Sequence, residues 1–152
     1  MLFKVISAQY LPRPDDDGDD VCDPFVQVEI YGLEVDETQR RTDVVKNNGF
    51  NPVWQEQFRF HLRAPEFALV RFCIYDYDKT SYNDFVAQYT VPVASLASGY
   101  RIVPLLQRQH RGYSHIHLCS GYHHKHDPTA TLFVHVDVQD LTQQRGETNV
   151  RL

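Results

Sequence analysis

Apolar and polar residues alternate with a period of two along most of this chain, which is the pattern of β-strands that bury one face. In the run PFVQVEIYG, the side chains of Val26, Val28 and Ile30 fall on one side of the strand, opposite Gln27 and Glu29. Spacings typical of an amphipathic helix are scarce. Similar β-forming segments are MLFKVISAQYL, RRTDVVK, QFRFHL, LVRFCIY, DFVAQYTVPV, GYRIVPLL and TLFVHVDV. The pattern predicts about eight strands.

The segments between these strands are rich in Asp, Asn, Gly, Pro and Ser, the residues that favour turns. Examples are PRPDDDGDD, NNGFNP and SLASG. Many short strands joined by polar turns favour an antiparallel sandwich over repeated βαβ units. The predicted fold class is therefore all-β, an eight-stranded antiparallel β-sandwich.

Length and charge narrow the function classes. The chain has 152 residues and a formal net charge of −5, which suits one domain and argues against nucleic acid as a partner. Its cysteines, Cys22, Cys73 and Cys119, are odd in number and lack C-x-x-C spacing, so we expect a reducing, cytoplasmic setting. No run approaches the ~20 apolar residues of a membrane span. A strand predicted from the start, without a leader, suggests a module of a longer protein.

Two acidic segments carry the clearest chemical signal. In YDYDKTSYND, Asp76 and Asp78 are two positions apart at a strand end, so their side chains project to the same side, and Asp84 can return to them. In PDDDGDDVCD, several aspartates precede the next strand, and Asp23 could join the first group. Gathered carboxylates and amide or carbonyl oxygens suit Ca²⁺, whereas Mg²⁺ requires a tighter octahedron and Zn²⁺ prefers nitrogen or sulfur.

The chain resembles the C2 domain of phosphoinositide-specific phospholipases C, in particular the delta-like forms. The runs that carry the resemblance are VCDPFVQVEIYG, RRTDVVKNNGFNPVWQEQFRF, APEFALVRF, IYDYDKTSYNDFVAQYTVPVASLASGYRIVPLL and ATLFVHVDV. It implies a C2 domain over residues 1–140, with a long insertion at about 107–128, followed by a polar tail over 141–152. It also implies loops that bind about two or three Ca²⁺ ions and dock on anionic phospholipid.

Site residues follow from the same resemblance, position by position. The implied calcium ligands are Asp23, Asn47, Asp76, Asp78 and Asp84, helped by main-chain oxygens near Val21 and Tyr77, with Asp15 or Asp17 left open as a further ligand. Four side chains in or beside these loops are predicted to contact lipid, as basic and aromatic tips do: Arg13, Lys46, Lys79 and Tyr82.

The segment from Gln107 to Pro128 departs from the resemblance. It is rich in histidine and holds Cys119, which could bind a transition metal, but its spacing matches no zinc pattern and it is predicted as a solvated loop. The last residues, Val150 to Leu152, have the apolar-x-apolar form of a ligand for a PDZ-type groove.

The leading hypothesis is a calcium-dependent phospholipid-binding module that brings a phosphoinositide phospholipase C from the cytoplasm to the membrane surface. The alternative is a calcium-independent scaffolding domain that packs against the catalytic domain. In such enzymes the phosphodiesterase chemistry belongs to a separate barrel, so the chain alone is predicted to be no enzyme. A stand-alone hydrolase is disfavoured, because G-x-S-x-G, H-E-x-x-H and Gly-rich phosphate loops are absent from the sequence.

Overall fold

A computed structural model describes residues 1–12, 22–79, 82–107 and 130–138. These residues form eight β-strands, which confirms the predicted fold class. The strands are β1 (Leu2–Gln9), β2 (Pro24–Tyr31), β3 (Thr38–Arg41), β4 (Val53–Arg59), β5 (Leu69–Asp76), β6 (Asp84–Pro92), β7 (Gly99–Pro104) and β8 (Thr131–Asp137). Two short 3₁₀ helices cover Pro65–Phe67 and Val93–Ser95. No helix in the described ranges is long and apolar enough to cross a membrane.

The strands form two four-stranded antiparallel sheets. One sheet has the order β4-β1-β8-β7 and the other the order β3-β2-β5-β6. Strand β2 is therefore central in its sheet, and all eight of its residues pair with residues of β5, from Pro24 opposite Asp76 to Tyr31 opposite Leu69. This register places the start of β2 beside the end of β5.

The core lies between the sheets and follows the alternation of the sequence. In β2, β5 and β8 every second side chain is fully or almost fully buried: Val26, Val28 and Ile30; Val70, Phe72 and Ile74; Leu132, Val134 and Val136. Phe3 of β1 packs edge-to-face against Phe72, with ring centroids 5.4 Å apart, and so joins the two sheets at the centre of the core. Burial of these apolar faces is the main favourable term in folding.

The segment RRTDVVK was predicted as a strand, and most of that prediction is wrong. Strand β3 ends at Arg41, and only the first two residues of the segment belong to it. The side chain of Thr42 accounts for the difference, because its hydroxyl accepts the N–H of Val26 at 2.9 Å in place of a main-chain carbonyl. The segment QFRFHL was also predicted as a strand, and the observed strand β4 lies closer to the N-terminus. It begins at Val53 and ends before Phe60, whose side chain is buried just after the strand.

The connections divide between the two ends of the sandwich. The described parts of 10–23, 42–52 and 77–83 lie at one end, which we call the loop end, while 32–37 and 60–68 lie at the opposite, far end. At the far end the buried carboxylate of Asp36 accepts the N–H groups of Arg63 and Ala64 at 2.7 and 2.8 Å. This carboxylate ties the two far-end connections together.

Candidate calcium site at the loop end

The β2–β5 register brings two predicted ligands from distant parts of the chain into contact. The main-chain N–H of Asp23 donates to Oδ1 of Asp76 at 2.7 Å. In return, the carbonyl oxygen of Asp23 accepts the N–H of Tyr77 at 3.1 Å. The end of the first acidic connection is therefore hydrogen-bonded to the start of the third, and Asp23 lies next to Asp76 as the sequence predicted.

The NNGFNP loop is hydrogen-bonded to Asp23 and to the residue before it. The N–H of Asn47 donates to Oδ1 of Asp23 at 2.6 Å, and the N–H of Asn48 donates to the carbonyl oxygen of Cys22 at 3.0 Å. Asn47 has a φ of 54°, in the left-handed region that asparagine tolerates better than most residues. Gly49 allows the two connections to approach closely, because a Cβ there would lie 3.0 Å from the Cβ of Cys22.

The third connection contributes Asp78 and Asp84. Asp84 is the cross-strand partner of Asp76 at the last pair of the β5–β6 ladder. The N–H of Asp78 donates to Oδ1 of Asn83 at 3.2 Å, which turns the chain back toward β6. Asp23 therefore lies just before β2, and Asp76 and Asp84 lie at the paired ends of β5 and β6, with Asp78 two residues beyond Asp76.

Electrostatics at this end depend most on Asp76. Partial burial raises the pKa of the Asp76 carboxyl above its usual value, and the negative charges of Asp78 and Asp23 raise it further. The N–H of Asp23 and the thiol of Cys22 act in the opposite direction. Burial likewise raises the pKa of the Cys22 thiol, so this cysteine stays protonated. A partly desolvated carboxylate beside like charges is a position where a cation would relieve the repulsion.

The remaining predicted residues fall into two groups. Lys46, Lys79 and Tyr82 are all exposed near the loop end, and 95% of the Tyr82 surface is accessible. The positions Arg13, Asp15, Asp17 and Val21 lie outside the described residues, as do the histidine-rich segment and the C-terminal Val150 to Leu152. The main-chain oxygen of Tyr77 stays a predicted ligand.

Side-chain grouping alone does not define a metal site in the described ranges. Among those residues, no three His, Cys, Asp or Glu side chains are grouped closely enough to hold a metal ion. The donor set nevertheless fits calcium in its chemistry, since carboxylates, the amide of Asn47 and main-chain carbonyls are all hard oxygen donors. The described cysteines, Cys22 and Cys73, are free and buried.

An aromatic pair at the loop end was missed by the sequence analysis. The rings of Tyr10 and Phe50 pack edge-to-face with centroids 4.8 Å apart, yet both side chains remain largely exposed. The available signal was an aromatic residue inside the turn sequence NNGFNP, where no strand pattern requires one.

Comparison with known proteins identifies the family. A family model described as C2 domain matches residues 1–107. The 1-phosphatidylinositol 4,5-bisphosphate phosphodiesterase delta-4 of Xenopus laevis is 47% identical over 145 residues, which cover 95% of this chain and 17% of that protein. The human delta-1 phosphodiesterase is 43% identical over 138 residues, which cover 91% of this chain and 16% of that protein. The chain thus spans about a sixth of the length of these relatives.

Solved structures agree with this placement. The crystal structure of L. pealei PLC21 superimposes with a TM-score of 0.63 at 26% identity, covering 93% of this chain and 16% of that one. A C2 domain of plant Extended Synaptotagmin 1 has the same TM-score of 0.63 at 20% identity, covering 88% of both chains, and shows the shared fold. The chain therefore belongs to the C2 domain family, and its predicted similarity to delta-type phosphoinositide phospholipases C is confirmed.

Proposed function

We propose that this C2 domain binds calcium at the loop end and thereby attaches to anionic phospholipid. The observation that carries the proposal is the contact of Asp23 with Asp76 and Asn47, which draws three separate connections to one point. Residues Asp23, Asn47, Asp76, Asp78 and Asp84 would hold the ions, with Asp15 or Asp17 as a further ligand. Bound calcium would supply positive charge and coordination positions for lipid oxygens.

The chain's own residues prepare this site in two ways. The hydrogen bonds to Asp23 and Asp76 fix the strand ends before any ion arrives, so less ordering is needed on binding. The carboxylates keep the loop end negative until then, which opposes contact with an anionic bilayer. Lys46, Lys79, Tyr82 and Arg13 would contact headgroups or the interface once that repulsion is removed.

The relatives support an inference about the parent protein. They are phosphodiesterases named for 1-phosphatidylinositol 4,5-bisphosphate, and this chain matches about a sixth of them. We infer that it serves as the targeting domain of such an enzyme in the cytoplasm. The chain itself would carry no phosphodiesterase chemistry.

A direct test is calorimetric titration of the lipid-free chain with CaCl₂. The unchanged chain should bind calcium, whereas Asp76→Asn should lose at least one binding event. Asp43→Asn is the matched control, because this exposed aspartate lies in the β3–β4 connection outside the predicted ligand set. Equal titrations for the unchanged chain and Asp76→Asn would contradict the assignment.

A second candidate function is calcium-independent packing against the rest of the parent enzyme. It is favoured by apolar side chains at the far end, Tyr31, Leu33, Phe67 and Leu69, which are 41–68% exposed. Because the two ends are opposite, both functions can coexist. Substitution of Phe67 and Leu33 by serine would weaken association with a separately expressed catalytic region, with or without calcium, if this candidate is correct.

A further inference from the structure

The outer face of the β4-β1-β8-β7 sheet carries a row of mainly apolar side chains that lie outside the core. Residues paired across antiparallel strands project from the same face of a sheet. Ser7 pairs with Val53 on β4 and with Phe133 on β8, and Phe133 pairs in turn with Ile102 on β7. Val53 is 55% and Ile102 is 73% exposed, while Phe133 is half-buried. We call Val53, Ser7, Phe133 and Ile102 the apolar row.

The ring of Tyr100 lies beside this row and is held in a fixed position. It stacks on Phe133 with ring centroids 5.6 Å apart, and it meets the ring of His135 edge-to-face at 4.7 Å. Tyr100 is nevertheless 66% exposed. A tyrosine held in this way loses little conformational freedom on contact, and tyrosine is enriched among the residues that dominate protein interfaces. Contiguous exposed apolar surface of this kind is typical of a protein interaction site.

The free edge of β7 is blocked against an added strand. β7 is the last strand in its sheet order, so its second edge pairs with no described strand. The guanidinium of Arg101 donates to the carbonyl oxygen of Tyr100 at 2.8 Å. It also donates to the carbonyl oxygens of Ala97 and Ser98 at 2.9 and 3.0 Å. Pro104, the last residue of β7, has no N–H to donate. An extended peptide would have to displace Arg101, so we expect a partner to lie on the face of the sheet.

The apolar row has the length of a short helix. It crosses four neighbouring strands. Strands in a sheet are spaced ~4.8 Å apart, so the row extends about 14 Å. Because an α-helix rises about 1.5 Å per residue, roughly ten helical residues would cover it. One amphipathic helix of a partner is therefore long enough to contact the whole row.

The charge of this face is opposite in sign to that of the whole chain. Lys4 pairs with His135, which pairs with Tyr100, so Lys4 projects from the same face beside the apolar row. The charged side chains on this face of the described strands, or at its β7 edge, are Lys4, Arg59, Arg101 and Asp137. Three of these four are basic, whereas the chain has a formal charge of −5. Charge complementarity therefore favours an acidic partner.

We propose that the apolar row and Tyr100 form a docking surface for an acidic amphipathic helix of a separate protein. Apolar side chains on one face of that helix would contact Val53, Phe133 and Ile102, and its flanking carboxylates would face Lys4 and Arg101. None of the predicted calcium ligands lies in a strand of this sheet. Docking should therefore occur without calcium, and it goes beyond the proposed function.

The chemistry of the partner is tested by peptide selection. A display library of random peptides, each about four helical turns long, is selected against the unchanged chain in a chelator. Enriched peptides should be acidic and carry apolar residues at helical spacing. A synthetic copy of the most enriched peptide, followed by fluorescence anisotropy, should bind Ile102→Asp about tenfold more weakly. Lys4→Glu should weaken binding about threefold, as expected for one exposed charge.

The matched control is Val35→Asp, which places the same charge at a residue that is 56% exposed at the far end. This variant should bind the peptide as the unchanged chain does. Urea unfolding checks that each variant is folded, and Ile102→Ser takes the place of Ile102→Asp if the latter is not.

Four results would overturn the docking surface. The first is a selection that enriches no peptide, and the second is one that enriches basic or strand-patterned peptides. The third is equal peptide binding by Ile102→Asp and the unchanged chain. The fourth is self-association of the chain, or binding to a separately expressed catalytic region, that Ile102→Asp abolishes, because the occupant would then be a second copy or the parent enzyme. Since the selection is made in a chelator, a failed calcium titration would contradict the proposed function alone.

Discussion

At the scale of single residues, the charge of Asp76 is expected to affect the stability of the calcium-free domain and its calcium affinity in opposite directions. Its carboxylate is held beside Asp23 and Cys22, partly out of water, where its charge is disfavoured without a cation. A carboxylate whose charge lowers the stability of the calcium-free domain is expected where the same carboxylate serves as a calcium ligand. We therefore expect free-domain stability and calcium affinity to change in opposite directions when this charge is removed.

Asp76→Asn should stabilise the calcium-free domain at neutral pH. The folded pKa of Asp76 is raised above its unfolded value, so its stabilising contribution is fully present below the unfolded pKa, near 4, and is lost as pH rises through the raised pKa. The amide keeps an oxygen that can accept the N–H of Asp23 but carries no charge. Urea unfolding in a chelator across this pH window measures the difference between the two proteins.

The difference should be largest at neutral pH and should shrink as pH falls below the raised pKa. Asp43→Asn, which changes an exposed aspartate in the β3–β4 connection, is the matched control. A calcium-free Asp76→Asn domain that is less stable than the unchanged chain at neutral pH would contradict this role of Asp76.

Sequence spacing selected Asp76, Asp78 and Asp84 as candidate ligands, because D-x-D at a strand end places both side chains on one side, and their role as ligands stays a prediction. It could not predict that the N–H of Asn47 bonds to Asp23, since this depends on the left-handed backbone of Asn47. Nor could it predict the Tyr10–Phe50 pair, which joins residues from two connections forty positions apart.

At the scale of elements, the loop end depends on close contact between the first and second connections. Gly49 has an ordinary backbone conformation, but an added Cβ would crowd the Cβ of Cys22 at 3.0 Å. Strand alternation correctly predicted the sheets, whereas it overextended β3, because the hydroxyl of Thr42 replaces a ladder hydrogen bond. Side chains that substitute for backbone partners leave no periodic signal.

Gly49→Ala should therefore lower calcium affinity as well as stability. The expected loss of stability is about 1–3 kcal/mol, the usual cost of overpacking, and the displaced Cys22 is next to Asp23. Gly32→Ala is the matched control, because its Cβ would crowd Ala68 at 3.2 Å at the far end. Calorimetric titration and urea unfolding should show both variants destabilised and only Gly49→Ala weakened in calcium binding. Equal calcium affinities would count against the coupling of the two loops.

Removal of the Asp36 carboxylate at the far end should lower stability without lowering calcium affinity. Asp36→Ala leaves the N–H groups of Arg63 and Ala64 without their acceptor and should cost about 1–3 kcal/mol of stability. Calcium binding should persist, because Asp36 is remote from the loop end. Glu34→Ala, an exposed acid in the same connection, should change neither property. Loss of calcium binding in folded Asp36→Ala would show that the ends are not independent.

At the scale of the whole molecule, the proposed function would make this domain a charge switch. The chain has a formal charge of −5, so an anionic bilayer repels it on average. Two or three calcium ions would add about +4 to +6 at one end, which would offset much of the negative charge of the acidic segments. The fold supports this polarity because Asp23 at the end of the first acidic connection, Asp76 before the third and Asn47 in the NNGFNP loop lie at the same end of the sandwich.

The most direct test is sedimentation with phosphatidylserine vesicles, with and without free Ca²⁺, for the unchanged chain and for Asp76→Asn/Asp78→Asn. We predict that the unchanged chain sediments only with Ca²⁺ and that the double variant stays in the supernatant under both conditions. Sedimentation of both proteins regardless of Ca²⁺ would contradict the calcium switch and would favour the scaffolding function.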